Sequence, residues 1–306
     1  MSIVIHVIET ALPVFLTLAL GMLLRQKKII SQEGVGALKS IVVNVTLPGV
    51  LFASFATAEY STEFIVIPSM IYAICIVALV MGFAACKLFK IPGKVVPYLA
   101  SGFEAGMLGY GLFALLFKDV STSEFAIVDL GQVLFVFTLY KILLSGKGGL
   151  KGVLREMATS PVLWAIGAGL IFGATGLFEA LKPSGISGIL QAAADFIAAP
   201  TGAVILLTIG YDLVPKEIRW RKTAAIVALR VAVMGILLVV ALLLNRFVLG
   251  GAIHTGALVL LFILPPPFVL PVFADGGDER ANISSSLSVL TLLSIVLFAV
   301  MSAVMA

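Results

Sequence analysis

The segment Leu264-Pro-Pro-Pro-Phe-Val-Leu-Pro271 contains four prolines and lies inside an apolar run long enough to cross a membrane. Proline has no backbone N–H, and its ring excludes the carbonyl oxygen of the residue four positions earlier. Pro265, Pro266 and Pro267 are therefore expected to free the carbonyls of residues 261–263. Irregular backbone at membrane depth survives only inside protein or along a watery cavity. The segment thus predicts a functional break in a transmembrane helix.

The composition of the whole chain indicates a membrane protein. Of the 306 residues, 61% are apolar and 12% are charged, whereas about 25% are charged in an ordinary soluble domain. A soluble fold of this size buries at most about 75% of the surface of its unfolded chain, so it could not hide this apolar excess. We exclude a soluble enzyme, a disordered chain and a disulfide-rich secreted module, and we expect the lipid bilayer to surround the chain.

Ten apolar runs follow one another, and the connectors between them alternate in charge. Sixteen of the 20 Lys and Arg residues lie in or beside the odd-numbered connectors, three lie in the even-numbered ones, and Arg230 lies inside run eight. Because basic connectors stay in the cytoplasm, we predict a multi-pass protein of the cytoplasmic (inner) membrane with both termini outside. The net charge of +4 is thus explained by topology, and we expect no nucleic-acid partner. The runs span 4–24, 35–57, 64–88, 94–117, 123–144, 160–178, 186–211, 223–248, 255–275 and 281–304.

The longest polar connector divides the ten runs into two groups of five. We expect a first five-helix repeat at residues 1–146, a cytoplasmic linker at 147–159 and a second repeat at 160–306. Since five is odd, the second repeat enters the membrane from the opposite side, and inverted repeats are common in secondary transporters. Prolines interrupt corresponding runs of the two halves, Pro48 in run two and Pro200 in run seven. The predicted fold is an all-α polytopic membrane protein with ten transmembrane helices in two inverted five-helix repeats.

Run four carries the counterpart of the proline break, in Ser101-Gly-Phe-Glu-Ala-Gly-Met-Leu-Gly-Tyr-Gly111. Its glycines weaken a helix, and they surround Glu104 near the middle of the run. A carboxylate at this depth is costly and marks a functional site by default. We predict that Glu104 loads and releases a coupling proton or binds Na⁺, and that Gly106 and Met107 contact a substrate. A protonated glutamic acid that serves packing alone is the alternative.

The break in run nine predicts a binding site for an anion. A helix that restarts after the prolines points its first N–H groups, with the positive end of its dipole, at the membrane midplane. We therefore predict substrate contacts at Pro265, Pro266, Pro267 and Phe268.

Two polar residues precede the proline interruptions of runs two and seven. Asn44 lies four residues before Pro48, so the proline frees the carbonyl of Asn44 itself. Asn44 and Pro48 are predicted substrate contacts. Asp195 lies five residues before Pro200, and we predict that it takes part in ion coupling with Glu104.

Other polar residues inside the runs are interpreted as peripheral. Arg230 lies about one third of the way into run eight, from where its side chain can extend to the cytoplasmic interface. Asp129 lies near an outer end, where solvent is close, and Gln132 one turn below it is a candidate cavity residue.

Taken in order, these motifs resemble those of a bacterial member of the auxin efflux carrier family. The resemblance implies that broken helices four and nine cross at the midplane, as in bile-acid transporter and sodium/proton antiporter folds. It also implies export or exchange of small carboxylates such as malate, malonate or auxin-like acids. Glu104 stands where the family has asparagine and Gly111 where it has proline, so this chain has an added titratable group. The matching residues are Asn44, Leu47-Pro48 and Phe52; Ala198-Ala-Pro200 and Gly210; and Pro265–Pro267, Asp275 and the serines from Ser284 to Ser294.

The leading functional interpretation is a secondary active transporter of a small organic anion, coupled to H⁺ or Na⁺, that needs no other cofactor or metal. A cation/proton antiporter using Glu104 and Asp195 is the alternative. An intramembrane serine protease with Ser187, in Gly185-Ile-Ser187-Gly188, and His254 is a remote third, and a receptor or structural membrane protein a fourth. A P-loop, a His-Glu-x-x-His motif and a cysteine metal cluster are missing from the sequence, so ATP-driven transport would need another chain. As a transporter, the chain is expected not to be an enzyme. A homodimer is common for this architecture.

Overall fold

The computed structural model describes residues 2–58, 60, 63–145, 152, 154, 155, 158–213, 220–268, 270 and 277–305, without the side chains of 2–11, 63, 107, 145, 277 and 278. Across these ranges the regular structure is helical, and no strand occurs in them. The predicted linker at 147–159 lies partly outside the described residues, so the division into two repeats stays a prediction.

The helices begin and end near the boundaries of the apolar runs. Short segments of other helical type adjoin them: π-helical turns at Val42–Thr46, Ala105–Gly109 and Val136–Tyr140, and a 3₁₀ turn at Val96–Ala100. The α-helices are α1 Ser2–Gln26, α2 Gln32–Ile41, α3 Leu47–Ala56, α4 Glu63–Leu88, α5 Tyr110–Leu116, α6 Thr122–Phe135, α7 Lys141–Ser145, α8 Pro161–Ala174, α9 Leu177–Ala180, α10 Ile186–Ala198, α11 Thr201–Asp212, α12 Trp220–Phe247, α13 Thr255–Ile263 and α14 Gly277–Met305.

Within the described residues, six helical stretches are long and apolar enough to cross a bilayer, and they match predicted runs two, three, five, seven, eight and ten. Two shorter apolar helices, Leu12–Gln26 and Pro161–Ala174, match runs one and six. The described part of the chain is therefore all-helical, and several of its apolar helices fit a multi-pass membrane protein. In the described residues of runs four and nine, no long helix forms because each run is interrupted.

The interruptions in runs four and nine have different local causes. In run four, Gly102 has a φ of 70°, a left-handed conformation that glycine adopts without strain, and the chain is non-helical over 102–104. In run nine, α13 ends at Ile263, and Leu264 is extended with a ψ of 151° as the prolines begin. The Leu264 N–H donates to the Leu261 carbonyl at 3.2 Å. The expectation that the prolines leave the Leu261 carbonyl free was therefore wrong. At the end of α13 this carbonyl accepts a 3₁₀-type hydrogen bond from the residue three positions later instead of four.

The prolines of runs two and seven act differently from each other. At Pro48 the chain stays helical, because the preceding π turn widens the helix and the Leu47 N–H donates to the Val42 carbonyl. At Pro200 a two-residue turn separates α10 from α11, but both turn residues keep right-handed helical φ and ψ angles. Run two is therefore bulged, whereas run seven is interrupted by a turn within one long helical stretch.

The helices form two bundles that meet along one face. In the first bundle, α1 packs against α11, and α3 packs against α8 and α10. In the second bundle, α4 packs against α6 and the 96–100 turn, while α12 packs against α4, α13 and α14. The bundles touch where α1 contacts α14, α3 contacts α6, and α11 contacts α5 and the 105–109 turn. Helix α5, which follows the break in run four, therefore lies at the junction of the bundles.

Close packing of α1 on α11 depends on two glycines, Gly21 and Gly210. A Cβ atom at Gly210 would overlap the carbonyl oxygen of Leu18, and one at Gly21 would overlap that of Leu207. We predict that Gly210→Ala destabilises the protein by about 1–3 kcal/mol, because overpacking forces the backbones apart. Thermal unfolding midpoints in detergent measure this. The control is Gly235→Ala on α12, where no atom lies within 4 Å of the added Cβ; equal midpoints for the two variants would contradict the prediction.

Candidate functional site

The two interruptions predicted for runs four and nine meet inside the second bundle. The Glu104 N–H donates to the Pro265 carbonyl at 2.8 Å, which joins the two non-helical segments directly. Gly102 packs so closely on Pro267 that a Cβ there would lie 3.0 Å from the proline Cγ. We call residues 101–104 and 264–268 together the crossover. Pro265, Pro266 and Pro267 are buried in it and Phe268 is half-buried.

The carboxylate of Glu104 binds a backbone N–H of the opposite segment. Its Oε2 accepts from the Phe268 N–H at 2.6 Å, and the residue is 9% exposed. A carboxylate bound to an N–H makes a stronger bond than a neutral acceptor. The sequence predicts that N–H groups after the prolines bind an anionic substrate. In the structure, the Phe268 N–H instead donates to the carboxylate of Glu104.

Arg230 binds three backbone carbonyls of the crossover and its border. The Nη1 atom donates to the Leu99 carbonyl at 2.8 Å, and Nη2 donates to those of Gly102 and Leu264, both at 2.9 Å. Arg230 is 3% exposed, with its guanidinium 5.7 Å from the centre of the Phe103 ring. The interpretation that this side chain extends to the cytoplasmic interface was wrong, because carbonyls freed from both helices offer it acceptors inside the bundle.

A second buried carboxylate, Asp129 on α6, lies next to the crossover. Asp129 is 1% exposed, and its Oδ1 accepts from the Gln132 amide at 3.2 Å. The Tyr110 hydroxyl is buried near Asp129 without a hydrogen bond to any of the described residues, and Glu104 is close enough to Asp129 for their charges to interact. The expectation of solvent near Asp129 was wrong, because α6 is covered by α3, α4 and α13.

A cavity of about 600 Å³ lies between the two bundles. The first bundle contributes residues of α1, α3, α10 and α11, and the second contributes α5 and the start of α6. Tyr110, which lies near Asp129, lines the cavity from the second bundle. The lining residues are Pro13, Thr17, Val50, Ala53, Thr57, Tyr110, Gly111, Ala114, Leu115, Ser121, Thr122, Gln191, Asp195, Ala198, Ala199, Thr201, Gly202, Ala203 and Leu206.

The other predicted site residues lie on separate elements of the fold. Asp195 lines it and is exposed, and its Oδ1 accepts from the Gln191 amide at 2.8 Å. Asn44 is exposed on the π turn, where its amide donates to the backbone and hydroxyl oxygens of Ser40. Gly106 faces Leu47, the neighbour of Pro48, at the junction of the bundles. The side chain of Met107 lies outside the described residues.

Ser187 and His254 do not form the pair that a protease requires. The Ser187 hydroxyl is buried and donates to the Phe178 carbonyl. The His254 Nδ1 accepts from the Ala257 N–H at 3.3 Å, capping α13, and its ring packs on Phe117. A nucleophile needs a base within hydrogen-bond reach, whereas each of these two side chains forms its hydrogen bond with a different backbone group.

In the described parts of the chain, no group of three or more His, Cys, Asp or Glu side chains comes together. A sodium ion at Glu104 stays a prediction.

Comparison with known proteins agrees with the transporter interpretation. Residues 6–151 match the model of a family described as membrane transport protein. An uncharacterized transporter of Methanothermobacter thermautotrophicus is 27% identical over 216 residues, which cover 67% of this chain and 67% of the relative. Another, of Methanocaldococcus jannaschii, is 24% identical over 210 residues, covering 65% of this chain and 67% of the relative.

These relatives are archaeal, so a bacterial source for this chain stays a prediction. Their names describe transporters rather than enzymes, as the sequence indicated. The resemblance to the auxin efflux carrier family is thereby confirmed: over its first half, this chain is similar to the membrane transport proteins of that family.

Proposed function

We propose that the chain is a secondary active transporter that moves a small organic anion, a carboxylate such as malate, malonate or an auxin-like acid, across the cytoplasmic membrane by alternating access. The observation that carries this is the cavity of about 600 Å³ between two bundles, with one wall built on the helix that follows a break. Sites for small molecules are concave and commonly measure about 300–1,000 Å³. Relative movement of the bundles would expose such a cavity to either side.

The proposal includes a topology. The cavity lies at the end of the molecule where α3 finishes and α6 starts, since Thr57, Ser121 and Thr122 line it. The alternation of basic connectors favours an outside location for this end, so in this proposal the cavity belongs to an outward-facing arrangement. Ten spans in two inverted repeats, a location in the inner membrane with both termini outside the cytoplasm, and a homodimer belong to the same proposal.

The charges of the crossover suggest how an anion and a proton could be coupled. Arg230 and Glu104 both bind backbone groups of the segment 264–268, so one positive and one negative side chain are anchored to the same segment. When Glu104 takes up a proton, the charge of Arg230 is no longer balanced, and electrostatic attraction for an anion rises in this poorly solvated region. Binding of the proton and of the anion would then favour each other.

Uptake of radiolabelled malate or malonate into proteoliposomes, driven by an inward proton gradient, tests this function. We expect saturable uptake above that of protein-free liposomes, together with competition among small mono- and dicarboxylates. The absence of any saturable carboxylate flux, in both directions of the gradient, would reject the proposal.

Cation/proton antiport is the second candidate, and the exposed carboxylate of Asp195 on the cavity wall favours it. For an anion transporter, we predict that Asp195→Asn leaves the carboxylate flux within about fivefold of the wild type, since an exposed charge contributes about 1 kcal/mol or less. For a cation antiporter, the same variant should abolish proton-linked Na⁺ or K⁺ exchange. A fluorescent pH indicator inside the vesicles distinguishes the two, with Glu179→Gln, which is exposed and paired with Lys182, as the control.

A further inference from the structure

We propose that Arg230 is the built-in cation of the crossover, and that its guanidinium occupies the carbonyl oxygens that would otherwise form a sodium site. The consequence for transport, that no sodium ion is required, rests on the proposed function. The consequence for binding concerns the purified protein alone.

The first argument is the identity of the acceptors. Arg230 donates hydrogen bonds to three carbonyls from different segments: Leu99 in the 3₁₀ turn, Gly102 at the break in run four, and Leu264 at the break in run nine. Carbonyls of unwound helices at the meeting of two broken spans are the groups that coordinate Na⁺ in many secondary transporters. Here the three oxygens converge on nitrogen atoms at 2.8–2.9 Å instead. The guanidinium thereby satisfies carbonyls that could not stay unpaired in an apolar interior.

The second argument is the position of Arg230 on α12. It lies ten residues after Trp220, which corresponds to about 15 Å along a helix that is about 42 Å long. An arginine about one third of the way into a membrane helix is costly unless its side chain is paired or reaches the interface. With 3% of its surface exposed and Phe103 beside the guanidinium, Arg230 is closed off from the cavity. It is therefore a positioning residue that holds the two segments together and supplies a fixed charge, rather than a substrate ligand.

The third argument is that a guanidinium is suited to this task. It presents five N–H donors in a rigid plane and stays charged at neutral pH. It can therefore bind oxygens from several backbone segments at once, as a metal ion does, but it cannot dissociate. A lysine offers a single nitrogen and would hold fewer of the three carbonyls. A glutamine would leave the charge missing and the carbonyls open to another cation.

The wild-type protein provides the first test. Thermal unfolding of the purified chain in detergent is compared in NaCl and in choline chloride at equal ionic strength, and binding of radioactive ²²Na⁺ is measured directly. We expect the same unfolding midpoint in both salts and no saturable sodium binding. A saturable, sodium-specific stabilisation of the wild type would overturn the proposal. No carboxylate is used, so this result is separate from success or failure of the proposed transport function.

Variants of Arg230 provide the second test. Arg230→Gln is expected to unfold at a lower temperature and to transport carboxylate about tenfold more slowly or worse in choline, since buried carbonyls lose their partners. Saturable recovery of the midpoint by Na⁺ is expected, because the vacated oxygens can now coordinate it. Arg230→Lys should retain more stability and stay insensitive to Na⁺. The control is Arg246→Gln, in the last turn of the same helix and away from the crossover.

The outcomes are separable. If the defect of Arg230→Gln is the same in NaCl and in choline, Arg230 is only a structural support and the proposal is wrong. If Arg230→Gln does not fold, the wild-type comparison and Arg230→Lys decide: sodium dependence in either one contradicts the proposal, and sodium independence in both supports it.

Discussion

Glu104→Gln is expected to abolish proton-driven accumulation of the carboxylate and the dependence of its transport on pH. The Oε2 atom of Glu104 accepts from the Phe268 N–H at 2.6 Å, and a glutamine oxygen can accept the same bond. The variant should therefore keep the crossover joined but lose the ability to take up and release a proton. In the charge scheme proposed above, the crossover of Glu104→Gln carries a permanent positive charge and binds the anion at every pH.

The measurement is uptake into proteoliposomes with and without a pH gradient, alongside exchange of internal for external substrate. We expect accumulation to fall to the concentration of the medium, whereas exchange continues. Glu279→Gln is a matched control, because Glu279 also accepts a backbone N–H, that of Val95 at 3.0 Å, but lies outside the crossover. Unchanged pH dependence in Glu104→Gln would rule out a coupling role for Glu104 and direct attention to Asp129, the other buried carboxylate near it.

The second large effect is expected for Gly102→Ala. Gly102 has a φ of 70°, and a non-glycine residue held in such a conformation costs about 1–3 kcal/mol. Its added Cβ would also press on Pro267, at 3.0 Å from Cγ and 3.1 Å from Cδ. Because the Gly102 carbonyl is one of the acceptors of Arg230, movement of this residue would disturb both segments of the crossover.

We therefore predict that Gly102→Ala lowers the unfolding midpoint and reduces the transport rate by about tenfold or more, as expected for a loss of about 1–3 kcal/mol at the site. Midpoints in detergent and initial uptake rates measure the two effects. Gly36→Ala on α2 serves as the control, since no atom lies within 4 Å of its added Cβ. If Gly102→Ala transports at the wild-type rate, a rigid crossover is not required for function.

The apolar pattern predicted the helices well. Six of the ten runs are long apolar helices and two are shorter ones, because a span needs about 20 apolar residues whatever its neighbours are. The breaks in runs four and nine were also predictable, since glycine and proline change backbone geometry locally. The effect of Pro48 was less predictable: a π turn absorbed it, and the choice between a bulge and a break depends on the packing around the helix.

The partners of polar side chains were much harder to predict. The sequence pointed to Glu104 and to the prolines, and these do lie together in the crossover. It misjudged Arg230 and Asp129, which a count of residues along their helices placed nearer an interface. Depth along one helix says nothing about which helices cover it, so burial of these two charges became visible only with the helices assembled. One feature of the sequence could have predicted the position of Arg230. It is a charged residue well inside an apolar run, and other runs contain breaks whose free carbonyls could bind it.

The sequence alone establishes the properties that do not depend on a residue's neighbours in space. These are the apolar surface that requires lipid, the prolines and glycines that interrupt helices, and the basic connectors that favour one side of the membrane. What required the tertiary structure is which of these features meet. The carbonyls of Leu99, Gly102 and Leu264 come from distant parts of the sequence and converge on one guanidinium. The reason is physical: a freed backbone group inside a membrane protein must find a partner, but the partner is selected by packing in three dimensions.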